Sequence, residues 1–274
     1  IHKKDSHIKG QDRYVPHKRV NNAFMMHAST SPLYQLFAAL DVYAKMHEGE
    51  GGKKLWVDAV KTVIETRKQV LRNCHYIRPL VPPMVHGKKW EEGNTEQMAN
   101  DMHYWAFEPG AKWHGFDGYG KGQYFIDPMK LQFVTEGIDV ENGGYEKFGI
   151  PGNILANYLR ENGIIPEKCD LNDILFLMTP AESATKMDDL VAKLIRFEQL
   201  IDEDAPMFEV LPSIYNAYEE KYRGYTIRRL CQEMHDFYKD RKGSTLQKQL
   251  FLADYFPEYV MNPQEAQFEY MRGH

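Results

Sequence analysis

The sequence predicts an α+β protein, with strands and helices mixed along the chain but without the regular βαβ alternation of a doubly wound sheet. Three observations carry that expectation. Long amphipathic stretches lie on both sides of a middle region, and that middle is made of short β-rich pieces broken by Gly, Pro and Asp. No Gly-rich phosphate loop of the P-loop or dinucleotide type joins a strand to a helix: Gly118-Tyr119-Gly120-Lys121-Gly122 has neither spacing and reads as a link between strands. With 274 residues, 43 % hydrophobic and 27 % charged, the chain has globular composition and is long enough to bury a large core.

In chain order, residues 1–25 are polar and basic with sparse apolar positions, so an irregular or extended segment is expected. Ser29-Thr30-Ser31-Pro32 then reads as N-cap hydroxyls followed by Pro in a first turn. Leu33, Leu36, Phe37, Leu40 and Tyr43 follow at helical spacing, and Gly49 closes the run. A second helix is expected over 53–73, with Trp56, Val60, Val63, Ile64, Val70 and Leu71 on one stripe and the charges between them in water. Strands are expected at Tyr104–Phe107, Tyr124–Ile126 and Leu131–Val134. A helix begins at Pro151 and ends at the C-cap pair Asn162-Gly163, followed by strands at Ile164-Ile165 and Ile174–Leu177. A long helix over 183–203 places Met187, Leu190, Val191, Leu194, Phe197, Leu200 and Ile201 inward. From Ser213 three or four shorter helices are expected, one capped near Thr226 and one near Ser244.

Composition removes several classes of function. The formal charge of −5 leaves no basic footprint for nucleic acid, and no run of 18 apolar residues is present to span a membrane. Cys74, Cys169 and Cys231 are too few and too scattered for a disulfide framework, so reduced thiols of a cytoplasmic protein are expected. His103 and His114 stand eleven apart, and no H-E-x-x-H pattern occurs, so no metal site is expected. No G-x-S-x-G nucleophile elbow occurs. The Ser29-Thr30-Ser31 cluster has two compatible readings, a helix cap and a cradle for phosphate. In Trp113-His114-Gly115-Phe116, a core Trp with a hydrogen-bonded His is the expectation, ahead of catalysis.

The segment Phe24-Met25-Met26-His27-Ala28-Ser29-Thr30-Ser31-Pro32-Leu33-Tyr34 resembles the stretch that follows the cofactor lysine in bacterial ornithine/lysine/arginine decarboxylases. Trp113-His114-Gly115-Phe116, Asp127-Pro128, Phe148-Gly149-Ile150-Pro151 and Gly163-Ile164-Ile165 continue the likeness in order over essentially the whole chain. Within the family, Ile1–Asp5, Ile8–Gln11, Lys88-Lys89-Trp90-Glu91 and Met178-Thr179-Pro180-Ala181-Glu182 are most similar to the ornithine branch.

The resemblance implies a pyridoxal-phosphate enzyme of the aspartate-aminotransferase fold that converts L-ornithine to putrescine and carbon dioxide. Residues 1–48 would be the end of its large cofactor domain, and 49–274 its small and C-terminal α+β region. The Ser-x-His-Lys attachment motif belongs upstream of Ile1, and family chains continue beyond His274, so an internal portion, inactive alone, is expected. Ser29, and with it Thr30 and Ser31, would reach the cofactor phosphate of a neighbouring subunit, which makes a homodimer the minimal unit and larger assemblies of dimers the expectation. Glu182, at a strand end before the 183–203 helix, is either a carboxylate complementing the helix dipole or the group that holds ornithine's distal ammonium. A non-catalytic association module and a lysine or arginine decarboxylase are the alternatives.

Overall fold

The structure, a computed structural model, describes residues 17–139, 144–250 and 258–273. The irregular reading of residues 1–16, and the likeness carried by Ile1–Asp5 and Ile8–Gln11, lie outside the described residues. The chain divides into two compact units, with the boundary between Lys53 and Lys54.

The first unit holds α1 (His17–His27) and α2 (Tyr34–Met46). Residues 17–25 are therefore helical rather than irregular: no Gly or Pro interrupts them, and the His27 ring closes the last turn on the Ala23 carbonyl at 2.8 Å. α2 starts later than the hydroxyl cluster suggests, with Leu33 as an N-cap that makes no side-chain capping bond. It also ends before Gly49, which sits at φ 62° and opens α3 (Gly49–Asn73). No residue of α1 or α2 is buried, and Phe24, Met25, Met26, Leu36, Phe37 and Leu40 are each more than half exposed.

The second unit, which takes α3 from Lys54 onward, continues with β1 (Ile77–Pro79), β2 (Met84–Val85), β3 (Lys88–Lys89), α4 (Thr95–Met98), β4 (Lys130–Thr135), β5 (Ile138–Asp139) and β6 (Gly144–Tyr145). Next come α5 (Gly152–Glu161), β7 (Lys168–Cys169), β8 (Asp173–Leu177) and α6 (Ala184–Asp202). The chain then runs through α7 (Met207–Val210), α8 (Pro212–Ala217), α9 (Glu219–Tyr222), α10 (Ile227–Asp240), α11 (Gly243–Gln249) and α12 (Pro263–Met271). β1, β4, β8 and β7 form one antiparallel sheet in that order, with Leu131 opposite Phe176 and Phe133 opposite Ile174. Along β4 the buried residues alternate, Leu131, Phe133 and Thr135, as a strand with one covered face requires. The expected mixture of strands and helices is what forms, and the pairing within the sheet is antiparallel.

α5 packs on β8 and β7, and α6 packs on α5 and α10. Ser183 caps α6 by accepting from the Lys186 N–H, and all seven residues predicted inward on that helix are buried. Asn162 and Gly163, the latter at φ 79°, end α5 as predicted, and Thr226 caps α10. A second cluster gathers Ile64, Val81, Val85, Trp90, Met98, Tyr104, Trp105 and Ile126.

Four expectations are corrected. Arg67 and Lys68 of α3 are buried rather than solvated: Arg67 donates to the Pro128 and Lys130 carbonyls at 3.0 and 2.9 Å, and Lys68 donates to the Gly93 carbonyl at 2.8 Å. Burial lowers the Arg67 guanidinium to about 9, partly offset by Asp127. Residues 104–107 and 124–126 meet only through the bridge of Ala106 with Phe125, because Trp90 and Trp105 anchor this segment by donating to the Tyr104 and Met98 carbonyls. Ile164-Ile165 is not a strand; Pro166 intervenes, and the ladder forms at Lys168–Cys169. Ser244 lies inside α11, its N–H donating to Tyr145 Oη at 2.8 Å, rather than at a cap.

Glu198 ties the sheet to α6. Its buried carboxylate accepts from the backbone N–H groups of His75, Tyr76 and Ile77 at 2.7–2.8 Å. Three charge-assisted bonds offset the cost of burying an ion.

Candidate functional site

Ser29, Thr30 and Ser31 share the exposed turn between α1 and α2. Among the described residues the Ser29 hydroxyl bonds only within that turn, accepting from the Ser31 N–H and donating to the Ser31 carbonyl, both at 3.3 Å. These hydroxyls therefore do not cap α2, and the capping reading is corrected. Leu33 supplies no side-chain cap to the start of α2, where the Leu36 N–H donates to the Leu33 carbonyl at 3.0 Å. Three exposed hydroxyls beside an uncapped helix start form a donor set suited to a phosphate, so these residues fit the anionic end of pyridoxal phosphate.

Glu182 belongs to the second unit. It precedes the Ser183 cap, and its Oε2 accepts from Lys186 Nζ at 3.0 Å. Both line a cavity of about 470 Å³ between the 163–167 segment, the end of β8 and the first turns of α6. Glu167 and Asp189 line the same cavity. Asp189 is already paired with Lys193 at 2.6 Å, whereas Glu167 is exposed and has no ion-pair partner among the described residues. The cavity thus offers three carboxylates and one ammonium, with Phe176, Met178, Met187 and Leu190 as its apolar wall. Its lining is thus acidic at one end and apolar along one wall.

Sequence reasoning missed Glu167 and Asp189. Asp189 was recoverable, since residues 182, 186 and 189 repeat at helical spacing. Glu167 sits in an irregular segment where no period operates.

The remaining chemical candidates resolve as structure. His114 is buried, with Nε2 2.9 Å from the Glu108 carbonyl and Nδ1 accepting from the Phe116 N–H at 2.9 Å, so both nitrogens are committed, as expected. Burial pushes the Cys74 thiol up to about 12 and the Cys231 thiol further, and both are inert. All three cysteines are free. A second acidic pair, Glu136 and Glu146, lines a cavity of about 400 Å³ with Arg78 and Trp113. Glu136 is raised to about 7 by burial, by its hydrogen bond with Glu146 and by that neighbour's charge, with Arg78 opposing.

An antiparallel sheet backed by long helices, with an acid-lined cleft at the strand end, makes this an α+β unit. The chain belongs to the family described as Orn/Lys/Arg decarboxylase, major domain, which matches residues 1–186. It is 60 % identical to the inducible ornithine decarboxylase of Escherichia coli K12 over the whole chain, which spans 37 % of that protein. It is 59 % identical to the inducible ornithine decarboxylase of Lactobacillus sp. 30a, of which it spans 38 %. The solved lysine decarboxylase A from Pseudomonas aeruginosa has the same fold, with a TM-score of 0.79 at 31 % identity over 94 % of this chain and 34 % of that one. The chain thus spans little more than a third of the relatives it matches. Among the described residues no helix is long and apolar enough to cross a membrane.

Proposed function

We propose that the chain is a portion of a pyridoxal-phosphate-dependent decarboxylase that converts L-ornithine to putrescine and carbon dioxide. The observation that carries the reading is the acid-lined cleft containing Glu182 and Glu167. Its shape and charge suit a diamino acid, and the choice of ornithine over lysine follows from 60 % identity to an ornithine decarboxylase against 31 % to a lysine decarboxylase.

In this reading residues 1–48 are the end of the cofactor domain, and 49–274 form the small and C-terminal region. The exposed apolar residues of α1 and α2 support the first assignment, since helices apolar on most faces belong in the interior of a larger domain. Ser29, Thr30 and Ser31 hold the cofactor phosphate, reaching it from a neighbouring subunit of a homodimer. When bound, the cofactor supplies the acceptor for the electron pair left as the carboxylate departs. Glu182, with Glu167 beside it, holds the distal ammonium and so fixes the chain length between that end and the reacting carbon. The apolar wall of Phe176, Met178 and Met187 excludes water from the methylenes. Lys186 keeps Glu182 in place until the substrate ammonium competes for it.

The test is Glu182→Gln in the full-length enzyme. Removing one partner of a hydrogen-bonded charge pair in a desolvated site costs about 2–5 kcal/mol. The expected result is at least about a tenfold fall in kcat/KM for ornithine with cofactor loading unchanged. Turnover within about twofold of wild type would leave Glu182 as a helix-end carboxylate, and Glu167→Gln would then locate the ammonium.

A further inference from the structure

The spacing rules applied to the sequence find no metal site, but folding brings together three ligands that those rules do not connect. His86 stands in the turn between β2 and β3, Asp101 precedes the 3₁₀ turn Met102–Tyr104, and His103 lies inside that turn. His86 Nε2 is 2.9 Å from Asp101 Oδ2, and His103 Nδ1 is 2.8 Å from Asp101 Oδ1. One ligand atom from each of the three residues lies within 4.8 Å of the others. The imidazole centroids are 5.2 Å apart.

We propose that His86, Asp101 and His103 bind a single divalent transition-metal ion of the zinc class, tying the β2–β3 hairpin to the 101–104 turn. Two imidazole nitrogens and one carboxylate form a borderline-soft donor set that favours zinc, cobalt, nickel or copper over magnesium or calcium. Ligand atoms bound to one zinc ion at about 2.0–2.2 Å lie roughly 3.3 Å apart, so shifts of an ångström or so complete the triad.

Two features prepare the site. Asp101 is fixed by its backbone role, its Oδ1 also accepting from the His103 N–H at 3.0 Å, which holds the carboxylate facing both rings. Both rings also line a cavity of about 290 Å³ whose wall includes Glu108, leaving room for a fourth ligand from water or from Glu108. Coordination replaces each ring's hydrogen bond to Asp101 with a bond to the metal, and the proton of a neutral ring moves to its other nitrogen. The Asp101 charge, and that of Glu108 nearby, balance the divalent ion.

The experiment strips the full-length protein with chelator, restores Zn(II) or Co(II), and measures bound metal together with the Co(II) visible spectrum. The expected result is one ion bound per chain at this site, a d–d band typical of nitrogen and oxygen ligands, and a raised melting temperature. The double variant His86→Gln/His103→Gln is expected to lose at least about 100-fold in affinity, since even outer-shell changes cost 10- to 100-fold. Should that variant fold poorly, Asp101→Asn retains the oxygen that caps the His103 N–H while removing the charge, and it is expected to weaken binding at least about tenfold. No stoichiometric binding by wild type, or unchanged affinity in the variants, overturns the proposal.

Discussion

Among the described residues Ser29 bonds only to Ser31 inside an exposed turn, so its hydroxyl is exposed to solvent and contributes little to folding. Ser29→Ala in the full-length protein is expected to leave stability within about 0.5 kcal/mol, as at other surface positions. A lost hydrogen bond to a charged phosphate is worth about 1.5–3 kcal/mol, or on the order of 10- to 150-fold in cofactor affinity. Equilibrium dialysis of pyridoxal phosphate beside a thermal melt checks both halves, and unchanged affinity would remove Ser29 from the cofactor site. At the same scale, the hydroxyl cluster was legible as an anion-binding group but not as a loop. The capping pattern of Ser followed by Pro suits a helix start, and only the conformation of Leu33 decides that α2 begins after both.

Where elements meet, glycine sets the approach. A Cβ on Gly149 would lie 2.1 Å from the Nδ1 of His235, a buried residue of α10 whose Nε2 is 2.9 Å from the Glu146 carbonyl. Gly149→Ala is therefore expected to destabilise by about 1–3 kcal/mol through overpacking. The cost should shrink in a His235→Ala background, giving a coupling of about 1–3 kcal/mol in a denaturant double-mutant cycle. Additive costs would place the strain elsewhere. The Phe148-Gly149-Ile150-Pro151 motif was thus visible in sequence, while the reason for its glycine lies 86 residues further along the chain at position 235. Strong periodicity gave α6 to within one residue at each end, because one face is apolar throughout. It misjudged α3, where Arg67 and Lys68 reach carbonyls of segments distant in sequence.

Across the whole molecule, the acidic pair of Glu136 and Glu146 links stability to pH. Glu136 is raised from the ordinary 4.5 to about 7 by burial first, then by Glu146, with Glu198 adding and Arg78 opposing. Between these two values the folded chain holds a proton that the unfolded chain has released, so stability falls as pH rises through that window and the penalty is complete above it. Glu136→Gln keeps a neutral side chain at every pH. Its melting temperature is expected to exceed wild type at about pH 8 and to converge on it near about pH 4.5. A difference that does not vary with pH would contradict the shared-proton description of the pair.

The site was legible in part for a physical reason that also holds at this scale. Glu182 stands beside a recognisable helix start, whereas Glu167 joins the cleft only because β7 pairs with β8 and carries the preceding segment to the strand end. The metal ligands His86 and Asp101 are likewise joined by a hairpin turn rather than by a period. The proposed decarboxylation of ornithine requires this cleft to set the distance from an ammonium to the reacting carbon. The most direct test is release of labelled carbon dioxide from carboxyl-labelled ornithine, lysine and arginine by the full-length protein saturated with pyridoxal phosphate. One methylene in such a pocket is worth about 1–3 kcal/mol, so kcat/KM for ornithine is expected to exceed that for lysine by at least about tenfold. Equal or faster turnover of lysine or arginine would contradict the assignment.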